Sequence, residues 1–123
     1  MHALVVDDSR AMRMILRRTL APLGFSVSEA ADGQQALDSL AAAEQVPDVA
    51  LVDWNMPVMD GLTFIKTVRR KPAYRQMTLM MVTTESEHSQ IVRALAAGAH
   101  EYLLKPFGSG AVEEKLALLG LTA

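Results

Sequence analysis

The sequence predicts an α/β protein built on a doubly wound, five-stranded, mainly parallel sheet with five helices. Five short apolar runs of strand type alternate with five segments of helical periodicity along the 123 residues. One run, Val49–Val52, is apolar throughout, as expected of a strand covered on both faces. No linker, internal repeat or low-complexity segment interrupts the pattern, so we expect a single domain over residues 1–123.

The predicted strands are short and end at polar residues. The second of them, Phe25–Glu29, alternates apolar and polar residues, which predicts one solvated face and a position near the edge of the sheet. The five predicted strands are Ala3–Val6, Phe25–Glu29, Val49–Val52, Met77–Val82 and Tyr102–Leu104.

The predicted helices carry apolar stripes at spacings of three and four residues. Asp32 and Gln35 form a capping-box pattern at the start of the second helix, and Gly98 is expected just beyond the end of the fourth. The helices are expected at Arg10–Leu20, after Asp32, after Asp60-Gly61, from about Ser86 to Ala97, and from about Gly110 to Leu119.

Composition excludes several classes of function. The formal net charge is −2 and no basic run occurs, which argues against nucleic-acid binding. The chain has no cysteine, so disulfides and thiolate chemistry are absent. No apolar stretch approaches the roughly 20 residues of a membrane helix, and the N-terminus turns acidic too soon for a signal peptide. We therefore expect a cytoplasmic, monomeric protein without membrane insertion.

Chemically capable side chains follow four of the five predicted strands. Asp7 and Asp8 follow the first strand, Asp53 the third, Thr83 the fourth and Lys105 the fifth. In a parallel sheet these strand ends lie at one edge, where ligands of such folds bind. Three carboxylates there would repel one another unless a cation joined them, and Mg²⁺ prefers such oxygen ligands.

The same set of residues suits phosphoryl transfer. A carboxylate such as Asp53 can act as the nucleophile toward phosphorus. Lys105 and Thr83 would hold the phosphoryl oxygens, which supplies much of the stabilisation that the reaction requires.

The motifs that carry a family resemblance are Asp7-Asp8, the segment Asp53–Gly61, Thr83, and Lys105-Pro106-Phe107. With them the chain resembles, over its whole length, the receiver domains of two-component response regulators, and in particular the CheY-like single-domain regulators of chemotaxis. The resemblance implies a flavodoxin-like/CheY-like fold with strand order 2-1-3-4-5. That order is taken from the family and is not worked out from the sequence.

The resemblance also implies a role for each residue of the metal site. Asp53 would be the phosphoacceptor and would also contact Mg²⁺. Asp8 would bind Mg²⁺ directly, Asp7 through water, and Asn55 through its backbone carbonyl.

The remaining implied roles concern switching and partners. Thr83 would follow the phosphoryl group, Tyr102 would move between exposed and buried positions, and the bond before Pro106 would be cis. A sensor histidine kinase would supply the phosphoryl group, and the chain would catalyse only its own phosphorylation and dephosphorylation. A protein target, such as the flagellar motor switch, would bind the face formed by the fourth helix, the fifth strand and the fifth helix.

Other interpretations remain open at this point. The chain could be a receiver-like docking module that is not phosphorylated, or a phosphorelay shuttle outside chemotaxis. A phosphatase would need an aspartate where Asn55 stands, and a flavodoxin-type cofactor binder would need a phosphate loop where Asp7-Asp8-Ser9-Arg10 stands. Trp54 is expected to be a partly exposed loop residue.

Overall fold

The computed structural model describes residues 1–84, 88–108 and 110–122. Its five strands form one sheet in the order β2-β1-β3-β4-β5, and all four pairings are parallel. This confirms the predicted fold class and strand order, and it places the alternating second strand at an edge. The strands are β1 (His2–Val6), β2 (Ser26–Ala30), β3 (Val49–Val52), β4 (Thr78–Thr83) and β5 (Glu101–Leu104).

Five α-helices connect or follow the strands, as predicted. Two 3₁₀ turns that the sequence analysis did not predict, Ala21–Leu23 and Pro72–Tyr74, each carry a proline near their start. The predicted start of the fourth helix at Ser86 lies outside the described residues. The helices are α1 (Arg10–Leu20), α2 (Gly33–Ala42), α3 (Gly61–Arg69), α4 (His88–Ala97) and α5 (Ala111–Leu118).

The sheet separates two hydrophobic cores. Along β1, Leu4 and Val6 face a core shared with α2, α3 and α4, whereas Ala3 and Val5 face a core shared with α1 and α5. All four side chains are completely buried. The central strands are therefore held on both faces, which fixes the positions of the residues that follow them.

Several predicted boundaries were wrong by one or two residues. Phe25 lies before β2, although it is buried. Thr83 is the last residue of β4 and not the first of a loop, because its pairing with Leu104 extends the ladder to β5. The helix α5 is one residue shorter at each end than predicted.

Side-chain caps start three of the helices at the carboxyl edge of the sheet. Ser9, Asp32 and Asp60 each accept a hydrogen bond from the backbone N–H three residues on, at 3.2, 2.8 and 2.8 Å. The capping box predicted at α2 is only partly formed. Asp32 caps the helix as predicted, but the Gln35 side chain accepts from the N–H of Ala31 and not from that of Asp32. The caps fix where each helix leaves the loop that precedes it.

Gly61 allows the loop after β3 to fold back onto that strand's end. Its N–H donates to the carbonyl of Trp54 at 2.9 Å. A Cβ at this position would overlap the carbonyl oxygen of Asp53 and lie 3.1 Å from the Cα of Trp54. A glycine is needed here because of this close approach of two backbone segments.

We expect Gly61→Ala to destabilise the protein by about 2 kcal/mol, since overpacking against immobile atoms typically costs 1–3 kcal/mol. Urea unfolding measures the change. Gly108→Ala is the matched control, because a Cβ there meets nothing within 4 Å. Equal stability of the Gly61→Ala variant and the parent would contradict the close approach.

Candidate functional site

The parallel strands bring the predicted site residues to one edge of the sheet. Asp7 directly follows β1, Asp53 directly follows β3, and these two strands are neighbours at the centre of the sheet. The backbone N–H of Asp53 donates to the carbonyl of Val6 at 2.9 Å, so the ladder continues up to the site.

Three carboxylates form a compact cluster there. Asp7, Asp8 and Asp53 each offer an oxygen within 4.8 Å of the oxygens of the other two. Asp7 and Asp53 are buried, at 1% and 8% exposure, whereas Asp8 is exposed. The three carboxylates therefore lie close together, as their positions at the ends of the strands predicted.

Lys105 reaches into the cluster from the end of β5. Its ammonium Nζ lies 2.7 Å from Oδ2 of Asp7 and 3.5 Å from Oδ1 of Asp53. The lysine side chain is only 11% exposed, so water screens these contacts poorly. Its backbone N–H donates to the carbonyl of Thr83 at 2.8 Å, which ties β5 to β4 beside the site. The bond between Lys105 and Pro106 is cis, as expected.

The pKa of Asp53 is raised above its ordinary value. Burial is the main cause that raises the pKa of Asp53, and the neighbouring Asp7 raises it further, while Lys105 acts in the opposite direction. One ammonium cannot neutralise three carboxylates. A hard divalent cation such as Mg²⁺ fits a site of this donor set and charge.

Thr83 and Tyr102 line the same small cavity. Thr83 is buried, Tyr102 is half-buried, and both line a small cavity of about 10 Å³ whose other walls include Trp54 and Gln90. The ammonium of Lys115 lies 4.9 Å from the centre of the Tyr102 ring. The two residues of the predicted switch thus share one pocket.

The expectation for Trp54 was wrong. Its side chain is only 9% exposed and packs in the core shared with α2, α3 and α4, because the loop after β3 folds back over the sheet. Arg93 of α4 covers the ring at 5.9 Å from its centre. Asn55, the next residue, is exposed.

Arg13 of α1 also contacts this site, although it was not among the residues predicted from the sequence. The guanidinium of Arg13 donates to the carbonyl of Asp7 at 2.6 Å and to Glu29 at 3.1 Å. The only sequence signal is the pair of arginines at positions 13 and 17 with an acidic residue on the edge strand, and that signal is weak.

A larger concave surface, an open groove of about 560 Å³, lies at the opposite end of the sheet. His2, Ser26, Ser28 and Asp48 are among its lining residues, and none of the three clustered carboxylates contributes to it. The carboxylate cluster is the candidate functional site, because charge, burial and a bridging lysine come together only there among the described residues. Within those residues, no helix is long and apolar enough to cross a membrane.

Comparison with known proteins agrees with this geometry. The family model described as the response regulator receiver domain matches residues 3–117. The chain belongs to this family. A chemotaxis protein CheY homolog of Campylobacter jejuni is 45% identical over 117 residues, which cover 94% of this chain and 89% of the relative. The chemotaxis protein CheY1 of Helicobacter pylori is 40% identical over 120 residues, which cover 97% and 96% of the two chains.

Solved structures of receiver domains share the fold. The chemotaxis protein CheY4 of Vibrio cholerae has a TM-score of 0.87 and 37% identity, with 95% of this chain and 96% of that chain covered. The receiver domain of the sensor histidine kinase PA1611 from Pseudomonas aeruginosa has a TM-score of 0.84 and 27% identity, with 95% and 94% covered. That structure contains a magnesium ion in its active-site cleft. This receiver is therefore a two-component signalling protein of the CheY type.

We expect Asp53→Asn to raise the melting temperature of the metal-free receiver at pH 7.5. The folded-state pKa of Asp53 is raised, so ionised Asp53 destabilises the folded state at pH values above that pKa. The penalty disappears as the pH falls through the raised pKa and below the ordinary value of 3.8, where both states are protonated. The gain should therefore shrink toward zero in acid.

Thermal unfolding in EDTA, followed by circular dichroism at several pH values, measures this gain. Asp38→Asn on the exposed surface of α2 is the matched control and should change little. A gain that does not depend on pH, or a loss at pH 7.5, would contradict the assigned environment of Asp53.

Proposed function

We propose that this receiver is a single-domain response regulator that accepts a phosphoryl group on Asp53 from a sensor histidine kinase. The observation that carries the proposal is the cluster of Asp7, Asp8 and Asp53 with the ammonium of Lys105 among them. The chain covers 89% and 96% of the length of two chemotaxis relatives, which supports a role in two-component signalling.

The reaction breaks the phosphorus–nitrogen bond of a kinase phosphohistidine and forms a phosphorus–oxygen bond to Asp53. One carboxylate oxygen of Asp53 attacks the phosphorus, and the histidine nitrogen leaves with the bonding pair. Lys105 and the hydroxyl of Thr83 hold the phosphoryl oxygens. Apart from its own phosphorylation and dephosphorylation, the receiver catalyses no reaction in this proposal.

The carboxylates would hold a magnesium ion at the same place. Asp8 and Asp53 would bind it directly, Asp7 through water, and Asn55 through its backbone carbonyl. When bound, Mg²⁺ would neutralise negative charge on the transferring phosphoryl group. The magnesium-containing PA1611 receiver supports this assignment.

Phosphorylation would alter the face formed by α4, β5 and α5 through Thr83 and Tyr102. The shared pocket of these two residues supports the coupling, because a movement of one changes the space that is open to the other. The names of the relatives favour chemotaxis. The target would then be a protein of the flagellar motor switch. The site of action would be the cytoplasm.

Intact-mass measurement after incubation with acetyl phosphate and Mg²⁺ tests the phosphorylation. We expect a single phosphoryl adduct on the parent and none on Asp53→Asn or in EDTA. The beryllofluoride complex should likewise form only with the parent. If neither the adduct nor the complex forms, the receiver is a docking module that is not phosphorylated.

Thermal unfolding across millimolar Mg²⁺ tests the metal site separately. Mg²⁺ should raise the melting temperature of the parent, because a ligand that binds only the folded state stabilises it, by about 2.7 kcal/mol at 100 times the Kd. Asp8→Asn should abolish most of the rise, whereas Asp38→Asn should keep it. A rise that survives in Asp8→Asn would place the ion elsewhere.

A further inference from the structure

Arg13 connects the edge strand to the backbone of the carboxylate cluster. It lies in the second turn of α1, and its side chain is only 17% exposed. One guanidinium nitrogen donates to the carbonyl oxygen of Asp7 at 2.6 Å, and Nε donates to Glu29 at 3.1 Å. The planar fork of the arginine therefore spans α1, β2 and the loop after β1.

Glu29 is itself fixed, so it can hold Arg13 in place. Arg17 donates from Nε to the second carboxylate oxygen of Glu29 at 2.7 Å and from another nitrogen to the carbonyl of Val27 at 3.0 Å. The hydrogen bond from Arg17 is the main cause that lowers the pKa of Glu29, with Arg13 adding to it, which keeps the carboxylate charged at neutral pH.

The two acidic residues after β1 are held in different ways. The carboxylate of Asp7 accepts from the N–H of Ser9 at 2.9 Å and from Lys105 at 2.7 Å. Asp8 is exposed, and within the described residues its carboxylate takes part in no hydrogen bond or ion pair. The orientation of Asp8 therefore depends on the backbone that carries it, and the carbonyl of Asp7 belongs to the peptide unit that joins the two residues.

We propose that Arg13 is a positioning residue for the metal site: by fixing the peptide between Asp7 and Asp8, it keeps the carboxylate of Asp8 turned toward the carboxylates of Asp7 and Asp53. The inference rests on the proposed function, since it concerns the same Mg²⁺ site. Arg13 does not contact the ion. Residues that orient metal ligands commonly change metal affinity by 10–100-fold when they are replaced.

The direction of the change in Mg²⁺ affinity distinguishes a positioning role of Arg13 from a direct effect of its charge. Removing a positive charge beside a cation site reduces repulsion, so a purely Coulombic effect makes Mg²⁺ bind more tightly. Loss of orientation makes Mg²⁺ bind more weakly. The two explanations thus predict opposite changes of the dissociation constant.

The test is calorimetric titration of Mg²⁺ into the parent, Arg13→Met and Arg17→Met. Arg17 is the matched control because it lies one turn away, contacts the same Glu29 and donates to a backbone carbonyl, but does not touch Asp7. We expect Arg13→Met to weaken Mg²⁺ binding about tenfold, equivalent to about 1.4 kcal/mol. Arg17→Met should stay within about twofold of the parent.

A structural role alone would lower the metal-free melting temperature of both variants and leave their Mg²⁺ affinities equal. Unchanged or tighter binding in Arg13→Met, or an equal loss in Arg17→Met, would overturn the proposal. If Arg13→Met fails to fold, Arg13→Lys decides, because one ammonium cannot reproduce the fork and an intermediate loss is expected. If the parent itself binds no Mg²⁺, it is the proposed metal site that fails.

Discussion

Three carboxylates lie at one edge of the sheet, and among the described residues the ammonium of Lys105 is the group that forms ion pairs with them. This excess of negative charge affects both the pKa of Asp53 and the capacity of the site to bind a cation. The ammonium of Lys105 lies 2.7 Å from the carboxylate of Asp7 and 3.5 Å from that of Asp53. Its charge therefore stabilises mainly the carboxylate of Asp7, which is the more deeply buried of the two. Asp53 is left with a raised pKa that burial causes. A cation bound among the three carboxylates would relieve the repulsion between them.

The rest of the fold makes this arrangement possible. Asp7 and Asp53 follow β1 and β3, two neighbouring interior strands, and both strands are packed between two hydrophobic cores. Gly61 lets the next loop press against the carbonyl of Asp53, and side-chain caps fix the helices that leave the same edge. Burial of apolar side chains offsets the unfavourable placement of like charges.

The alternation of apolar runs and helical stripes predicted the class of fold, the number of elements and most of their cores. Its errors fall where tertiary contacts decide a boundary. Thr83 joins β4 because Leu104 pairs with it, which no local pattern in residues 77–84 shows. Trp54 was expected to be partly exposed, yet the returning loop buries it against the core.

The sequence by itself determined which chemical groups stand at the ends of the strands, because a run of apolar residues followed by Asp, Thr or Lys is a local property of the chain. It also determined that these groups lie at one edge, since parallel strands end at a common edge. The strand order that places β1 beside β3 is a property of the whole sheet. Only the tertiary structure decided how they are held. Lys105 contacts Asp7, which is 98 positions away in the sequence. Arg13 donates a hydrogen bond to the carbonyl of Asp7, which is 6 positions away. Such contacts depend on how helices and strands pack against one another, and this packing is decided by residues from several distant segments of the sequence.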